Sequence, residues 1–268
     1  MLIDRVPRSL LLLPPFEKWW LHSWSKNPPP DSADNGVGDY FAVGKEFAGY
    51  FKSWCELQPT HSILDVGCGS GRIALGLARE LSTQGRYEGF DVRPAAIEWC
   101  QRQISPRYPN FQFQSVNVIN HAYKPDGDME AETFKFPYSD ATFDLVVLTS
   151  VFTHMRPQDV RHYLAEIHRV LRPAGHCFIT WFALSDETRL LTAEHRSTLG
   201  FHWQHGECWA ADPQAVEIAT GYKESWIRST YSNAGFSLKQ YIIRGWWPGR
   251  SRESHGNYQD FIIARRSD

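Results

Sequence analysis

Between residues 62 and 182, short apolar runs alternate with stretches whose apolar positions recur every three or four residues. The runs predict strands at Ser62–Val66, Tyr87–Asp91, Phe111–Val116, Phe143–Thr149 and His176–Phe182. The helical spacing predicts helices at Arg72–Leu81, Pro94–Ile104 and Pro157–Leu171. In the last of these, Val160, Leu164, Ile167 and Leu171 form one stripe, opened by Pro157 and closed by Pro173 and Gly175. Aromatic residues Phe41, Phe47, Tyr50, Phe51 and Trp54 predict a helix over 40–57. A helix at Tyr222–Ala234 and strands near Ser237–Ile243 and Tyr258–Ala264 complete the pattern. Strand–helix alternation of this kind implies an α/β fold, a mostly parallel sheet with helices on both faces.

Two segments break the alternation, the polar stretch Asn117–Pro137 and the His- and Trp-rich insertion 184–221. Long connections in a compact domain usually carry function or disorder, and the insertion is expected to cover a substrate as a lid. Residues 1–38 are broken up by Pro7, Pro14, Pro15, Pro28 to Pro30, Gly36 and Gly38, and read as an irregular arm ahead of a domain at 39–268. Within the arm, Trp19, Trp20 and Trp24 are expected to pack on the fold or cover a pocket, in preference to anchoring at a membrane surface. The apolar run Ser9–Leu13 stops at Pro14, far short of the ~20 residues that cross a bilayer.

Composition adds three constraints. With 42% hydrophobic residues the chain has enough apolar surface for a true core. A formal net charge of -2 gives no basic footprint, which disfavours nucleic acid as a partner. Five widely spaced cysteines, Cys55, Cys68, Cys100, Cys177 and Cys208, read as reduced thiols of a cytoplasmic protein.

The strongest local signal is Asp65-Val66-Gly67-Cys68-Gly69-Ser70-Gly71-Arg72, an apolar strand running into three alternate glycines and then a helix. Glycines allow the backbone to approach a ligand, and a helix N-terminus offers free N–H groups. Asp65 narrows the choice of ligand. A carboxylate there repels a pyrophosphate and attracts an ammonium group. The third glycine also falls one place short of the dinucleotide spacing, whose small residue would stand at Arg72. Asp91, at the end of the second strand and twenty residues beyond Gly71, suits both hydroxyls of a ribose. Together the two acids describe a nucleoside with a cationic amino-acid tail.

Residues Asp65 to Gly71 resemble the first motif of the class I S-adenosylmethionine-dependent methyltransferases, and Phe134–Asp144 and Leu171–Gly175 resemble later motifs, the likeness covering roughly 40–182. The resemblance implies a Rossmann-like, seven-stranded, mostly parallel sheet whose last strand is antiparallel. It also implies S-adenosylmethionine as cofactor. The loop of Gly67, Cys68, Gly69, Gly71 and Arg72 would hold the methionine part, Asp91 with Val92 the ribose, Asn117 with Val118 the adenine, and Thr149 and Ser150 the remaining edge. Two positions depart from the pattern: Ala174 stands for a usual glycine, and Asn117 for a frequent Asp.

Ligands of open α/β sheets lie beyond the carboxyl ends of the strands. His154, just after the fourth strand, is therefore the candidate base, with a fixed loop histidine as the equal alternative. Phe152, Trp246, Trp247, His255 and Gln259 are the candidate acceptor contacts, because aromatic faces beside polar groups suit a sugar or secondary metabolite. The triplet His202, His205 and Cys208 lacks a fourth ligand at metal spacing, so no metal is expected. Neither a hydrolase elbow nor a phosphate loop with its lysine is present. The leading expectation is methyl transfer to a hydroxyl of a small molecule. Transfer to nitrogen or carbon, an NAD-dependent oxidoreductase, and a non-catalytic partner subunit stand as alternatives.

Overall fold

The apolar runs become strands whose alternate residues enter two different cores. Leu64 and Val66 of β1 (Ser62–Val66), and Val146 and Leu148 of β4 (Phe143–Leu148), face one core; Ile63, Leu145 and Val147 face the other. A strand buried on both sides in this way needs helices above and below it. In this computed structural model, which describes Pro29 and residues 40–238 and 242–267, both layers are present.

The remaining elements are α1 (Tyr40–Cys55), α2 (Arg72–Leu77), β2 (Arg86–Asp91), α3 (Pro94–Gln103), β3 (Phe111–Ser115), α4 (Pro157–Val170), β5 (Leu171–Trp181), β6 (Ala183–Leu184), α5 (Asp186–Ala193), β7 (Trp203–His205), β8 (Cys208–Ala210), β9 (Thr220–Lys223), α6 (Glu224–Asn233), β10 (Phe236–Leu238) and β11 (Asp260–Arg266). The main sheet has seven strands in the order β10-β11-β5-β4-β1-β2-β3. β11 runs antiparallel to both β5 and β10, while the strand pairs from β5 to β3 are parallel. This is the Rossmann-like sheet expected from the motifs. Helix α4 packs Val160, Leu164, Ile167 and Val170 on one face, and α1 to α3 pack Phe47, Phe51, Ile73, Leu77 and Ile97 on the other.

Several boundaries differ from the sequence reading, and β5 begins at Leu171 rather than His176. Helix α2 ends at Leu77 rather than Leu81, and its next residues form turns. Helix α6 begins at Glu224, because Thr220–Lys223 is drawn into a strand. β11 starts at Asp260, since the Tyr258 carbonyl accepts the Trp247 N–H in a tight loop, and the Asp260 side chain ties that loop down. β10 covers only Phe236–Leu238, and residues 239–241 lie outside the described residues. Apart from Pro29, the arm, with Trp19, Trp20 and Trp24, also lies outside them.

The insertion is more ordered than a loop. It supplies β7 and β8, which join β9 and β6 in a second sheet of order β6-β9-β8-β7. The polar stretch after β3 is held by a Val118–Met129 bridge and a 3₁₀ turn at Ala131–Thr133. Among the described residues no helix is long and apolar enough to cross a membrane.

Candidate active site

The glycine loop is shaped by its neighbours. Gly67 and Gly71 sit at φ +72 and +82, and a Cβ on either would lie 2.5 Å from a side-chain carbon, of Val151 and Ile104 respectively. Only glycine meets both demands at little cost. Asp65, at the end of β1, is fully buried and accepts a 2.6 Å hydrogen bond from the Tyr87 hydroxyl. Its other oxygen, Oδ1, has no hydrogen-bond partner among the described residues. Burial pushes the Asp65 carboxyl up to about 7, against the opposing pull of the Tyr87 bond.

The carboxyl ends of β1, β2 and β4 open into a cleft of about 640 Å³. Of the expected cofactor residues, Gly67, Cys68, Gly69, Arg72, Asp91, Val92, Val118, Thr149 and Ser150 form its walls. Asp91 accepts the Gly69 N–H at 2.8 Å on one oxygen and the Arg93 N–H at 2.9 Å on the other, so a single carboxylate sets both the loop and the strand end. The Arg93 Nε–H donates to that second oxygen as well, at 3.1 Å, so the oxygen bonded to Gly69 is the one that keeps a lone pair for a ligand hydroxyl. Gly71 and Asp65 stand behind the wall. Asn117 corrects the sequence reading: its side chain is exposed, its carbonyl accepts the Asp128 and Met129 N–H groups, and Val118 and Ile119 take its place in the wall.

His154 closes the 3₁₀ turn Phe152–His154 and lines the cleft. Its Nδ1 lies 2.9 Å from the Glu217 carbonyl oxygen, an acceptor only, so Nδ1 carries the proton. Nε2 is left with its lone pair, 3.4 Å from the Tyr123 hydroxyl. Burial holds the ring below the ordinary histidine range, which keeps it neutral at pH 7. Glu217 comes from the insertion. Its carboxylate accepts the His121 N–H at 2.8 Å and pairs with the Arg156 guanidinium at 2.9 Å, which fixes the carbonyl that orients His154.

The hairpin after β10 is placed differently from the sequence reading. Trp247 is buried, donating to Asp260 at 2.6 Å; Trp246 stacks edge-on with Tyr258 and lies under Arg252; and His255 bonds the Ser251 carbonyl. None of the three is in the cleft wall, and neither is Phe152, which packs on Trp181. Gln259 stands one layer back, accepting the Ser150 Oγ–H at 3.0 Å. Ser150 itself holds a left-handed φ of 59°. The wall also contains residues the sequence did not single out: Tyr40, whose hydroxyl donates to the Ser70 carbonyl at 2.5 Å, and Arg93, Tyr123, Asp159, Tyr163 and Glu217.

Residues 63–175 match the family model described as a methyltransferase domain. The matched segment resembles the class I S-adenosylmethionine-dependent methyltransferases. Over 131 residues it is 29% identical to a 2-phytyl-1,4-naphtoquinone methyltransferase of Nostoc sp., covering 48% of this chain and 50% of that one. Over 114 residues it is 35% identical to a phthiotriol/phenolphthiotriol dimycocerosates methyltransferase of Mycobacterium leprae, covering 42% of this chain and 35% of that one. The chain thus spans half or less of the length of these curated relatives. In fold, the domain resembles a Burkholderia thailandensis 1,6-didemethyltoxoflavin-N1-methyltransferase solved with S-adenosylhomocysteine, at 18% identity and a TM-score of 0.55, covering 98% of this chain and 93% of that one. The residues of the methyltransferase domain fit S-adenosylmethionine: the unpartnered, buried Asp65 Oδ1 suits an ammonium, reached directly or through water, and Asp91 in the wall suits a ribose.

Proposed function

We propose that this chain methylates a hydroxyl of a small-molecule acceptor, with His154 as general base. S-adenosylmethionine, when bound, supplies a methyl group that its sulfonium already makes electrophilic. Asp65, the Gly67–Ser70 loop and Asp91 hold it, and Val118 and Ile119 supply apolar wall for the adenine. The observation that carries the reading is the neutral His154 in the cleft, its Nδ1–H fixed on the Glu217 carbonyl and its Nε2 free to take a proton. As the acceptor oxygen gains its methyl group, its O–H bond breaks and the proton passes to Nε2. Tyr123, within reach of the same nitrogen, holds the ring in place until the acceptor hydroxyl displaces its own. Such a base contributes roughly 10²–10⁴-fold.

Both relatives carry names that say they methylate small molecules, and the net charge of -2 supports the same class over a nucleic acid. The five cysteines are free and buried, which supports a reducing compartment such as the cytoplasm. The insertion acts in this reading as the lid over the acceptor, because its Glu217 reaches the base.

The test offers methyl-labelled S-adenosylmethionine and a panel of phenols and alcohols to the protein and to His154→Asn. Methyl ethers are expected, with turnover lowered roughly 10²–10⁴-fold in the variant and S-adenosylhomocysteine affinity kept within about twofold. Methylation of nitrogen or carbon alone, or full activity in the variant, overturns the hydroxyl reading. Tight NADH binding without affinity for S-adenosylhomocysteine would instead favour an oxidoreductase.

A further inference from the structure

A second cavity, of about 400 Å³, lies against the cleft, between the first turn of α4 and the β7–β8 hairpin of the insertion. Arg156 and Gln158 line both spaces. Val216 faces the second cavity, while its neighbour Glu217 faces the cleft. The Arg156 guanidinium pairs with the Glu217 carboxylate at 2.9 Å, and the Glu217 carbonyl holds His154. The partition between the two spaces is thus made by residues in contact with the base. The far wall, with Arg161, His205 and Glu207, is held on a fixed frame. Arg161 pairs with Glu207, which also accepts the Trp226 indole N–H at 3.0 Å, and the guanidinium lies 5.4 Å from the centre of the same ring. Trp226 stacks at 4.5 Å on Tyr222, whose hydroxyl donates at 2.6 Å to the carbonyl of Met155, the residue after His154. Cavity wall and base are parts of one connected structure.

The wall selects its occupant by charge. Both of its arginines are already paired, Arg156 with Glu217 and Arg161 with Glu207. An ionic occupant would have to compete with one of these pairs, and an apolar one would take water from them without replacing its hydrogen bonds. A neutral group rich in hydroxyls does neither. Each hydroxyl both donates and accepts, while a guanidinium has five N–H groups and a carboxylate about four lone-pair sites, so the pairs keep capacity for it. From this we infer that the second cavity is an acceptor subsite for a glycosyl unit, on an acceptor whose reacting hydroxyl meets His154 in the cleft. The inference rests on the hydroxyl-methylation reading and adds the acceptor's chemical class to it. The cavity's 400 Å³ lies within the roughly 300–1,000 Å³ of small-molecule sites, and the cleft keeps its own volume for the nucleoside and the reacting part of the acceptor.

Three phenols that differ only opposite the hydroxyl test this: 4-methoxyphenol, 4-hydroxyphenyl β-D-glucoside and the corresponding glucuronide. Calorimetry on the full chain saturated with S-adenosylhomocysteine reads binding, and a parallel assay with S-adenosylmethionine reads methyl ether formation. The glucoside is expected to bind about tenfold tighter than 4-methoxyphenol, as one or two net hydrogen bonds would give. The glucuronide is expected to bind no tighter than the glucoside. In the double variant Arg161→Ala, His205→Ala the glucoside advantage falls to within about twofold, while affinity for S-adenosylhomocysteine, measured first, stays within about twofold. Glu207→Gln keeps the shape and leaves Arg161 without its counter-charge, so it should shift preference toward the glucuronide by about tenfold. A glucoside bound no better than 4-methoxyphenol overturns the inference, as does an advantage that survives the double variant. A glucuronide preferred by the unaltered protein, or a preference unmoved by Glu207→Gln, overturns it too. If 4-methoxyphenol is methylated and the glucoside has no advantage, the hydroxyl reading survives and the subsite is lost. If the glucoside advantage appears in binding without methyl ether, the subsite stands and the hydroxyl reading fails.

Discussion

Asp65 carries the clearest consequence at the scale of single residues. With its carboxyl pushed up to about 7, it is protonated below that pH in the free protein and ionised above it. An ammonium group binds the ionised form, so binding lowers this raised value and releases a proton. Affinity for S-adenosylhomocysteine should therefore weaken as pH falls below about 7, approaching tenfold per unit. Calorimetry at pH 7 in two buffers of different ionisation enthalpy should show proton release; identical heats would contradict it. The Asp65 contribution to stability in the free protein has the opposite slope, declining as pH rises from about 4 to about 7. For His154 the shift is downward from 6.5, so at saturating S-adenosylmethionine, where the Asp65 effect on affinity is removed, the rate limb it controls must lie below pH 6.5 and the rate must be flat above it. A limb centred above 6.5 would exclude it as the base. The placement of Asp65 and Asp91 beside the glycine loop was legible in the sequence because it follows from position relative to a contiguous motif. Asn117 was misplaced by one residue, and at the end of a strand one residue turns a side chain to the opposite face. Glu217 left no signal, since its link to His154 spans 63 positions of sequence.

At the scale of elements, the site depends on how closely α1 lies on α2. A Cβ on Gly76 would come within 2.0 Å of the Gly44 carbonyl, and one on Gly44 within 2.3 Å of the Arg72 carbonyl. Backbone stands against backbone, so the helices must separate to admit a methyl group. Gly76→Ala should cost about 1–3 kcal/mol in urea denaturation. Because α1 begins at Tyr40, in the cleft wall, the substitution should also weaken S-adenosylhomocysteine binding. Loss of stability with unchanged affinity would show that the crossing does not position the wall. The bend in β5 at Ala174 makes a second case. Ala174 holds φ +63, where glycine is the usual residue, and Ala174→Gly should stabilise by up to about 1 kcal/mol in the same measurement. The strands β1 and β4 were readable because two-sided burial writes an apolar run of limited length, and β3 because Phe111 and Phe113 alternate with exposed polar residues. The short strands β6 to β9 were not, because their pattern is set by pairing with one another; residues 203–205 are exposed throughout, and nothing in their polarity marks a strand.

On the scale of the whole molecule, a buried carboxylate joins the two sheets. Asp260, fully buried at the start of β11, accepts from the Ala183 N–H at 3.0 Å, the Gly245 N–H at 2.9 Å, the Trp247 indole at 2.6 Å and the Arg250 guanidinium at 3.2 Å. Arg250 passes the link on to Glu187 in the insertion. This explains why the hairpin tryptophans, read from sequence as acceptor contacts, lie outside the cleft: the aspartate that follows Gln259 holds Trp247, and Trp246 packs on Tyr258. Asp260→Ala would strand the buried Arg250 charge and should cost about 3–5 kcal/mol in equilibrium denaturation. The clasp also sets the neighbouring Gln259 on Ser150, so main sheet, insertion and cleft form one connected body. All of this serves a cleft in which, on the proposed reading, two acids recognise one nucleoside. Titration of S-adenosylhomocysteine into the protein and into Asp91→Ala at pH 8 tests that property most directly. Saturable one-to-one binding is expected, weakened about 10- to 100-fold in the variant, the worth of charge-assisted hydrogen bonds to the ribose. No binding to the unaltered protein, or equal affinity in both, would contradict it.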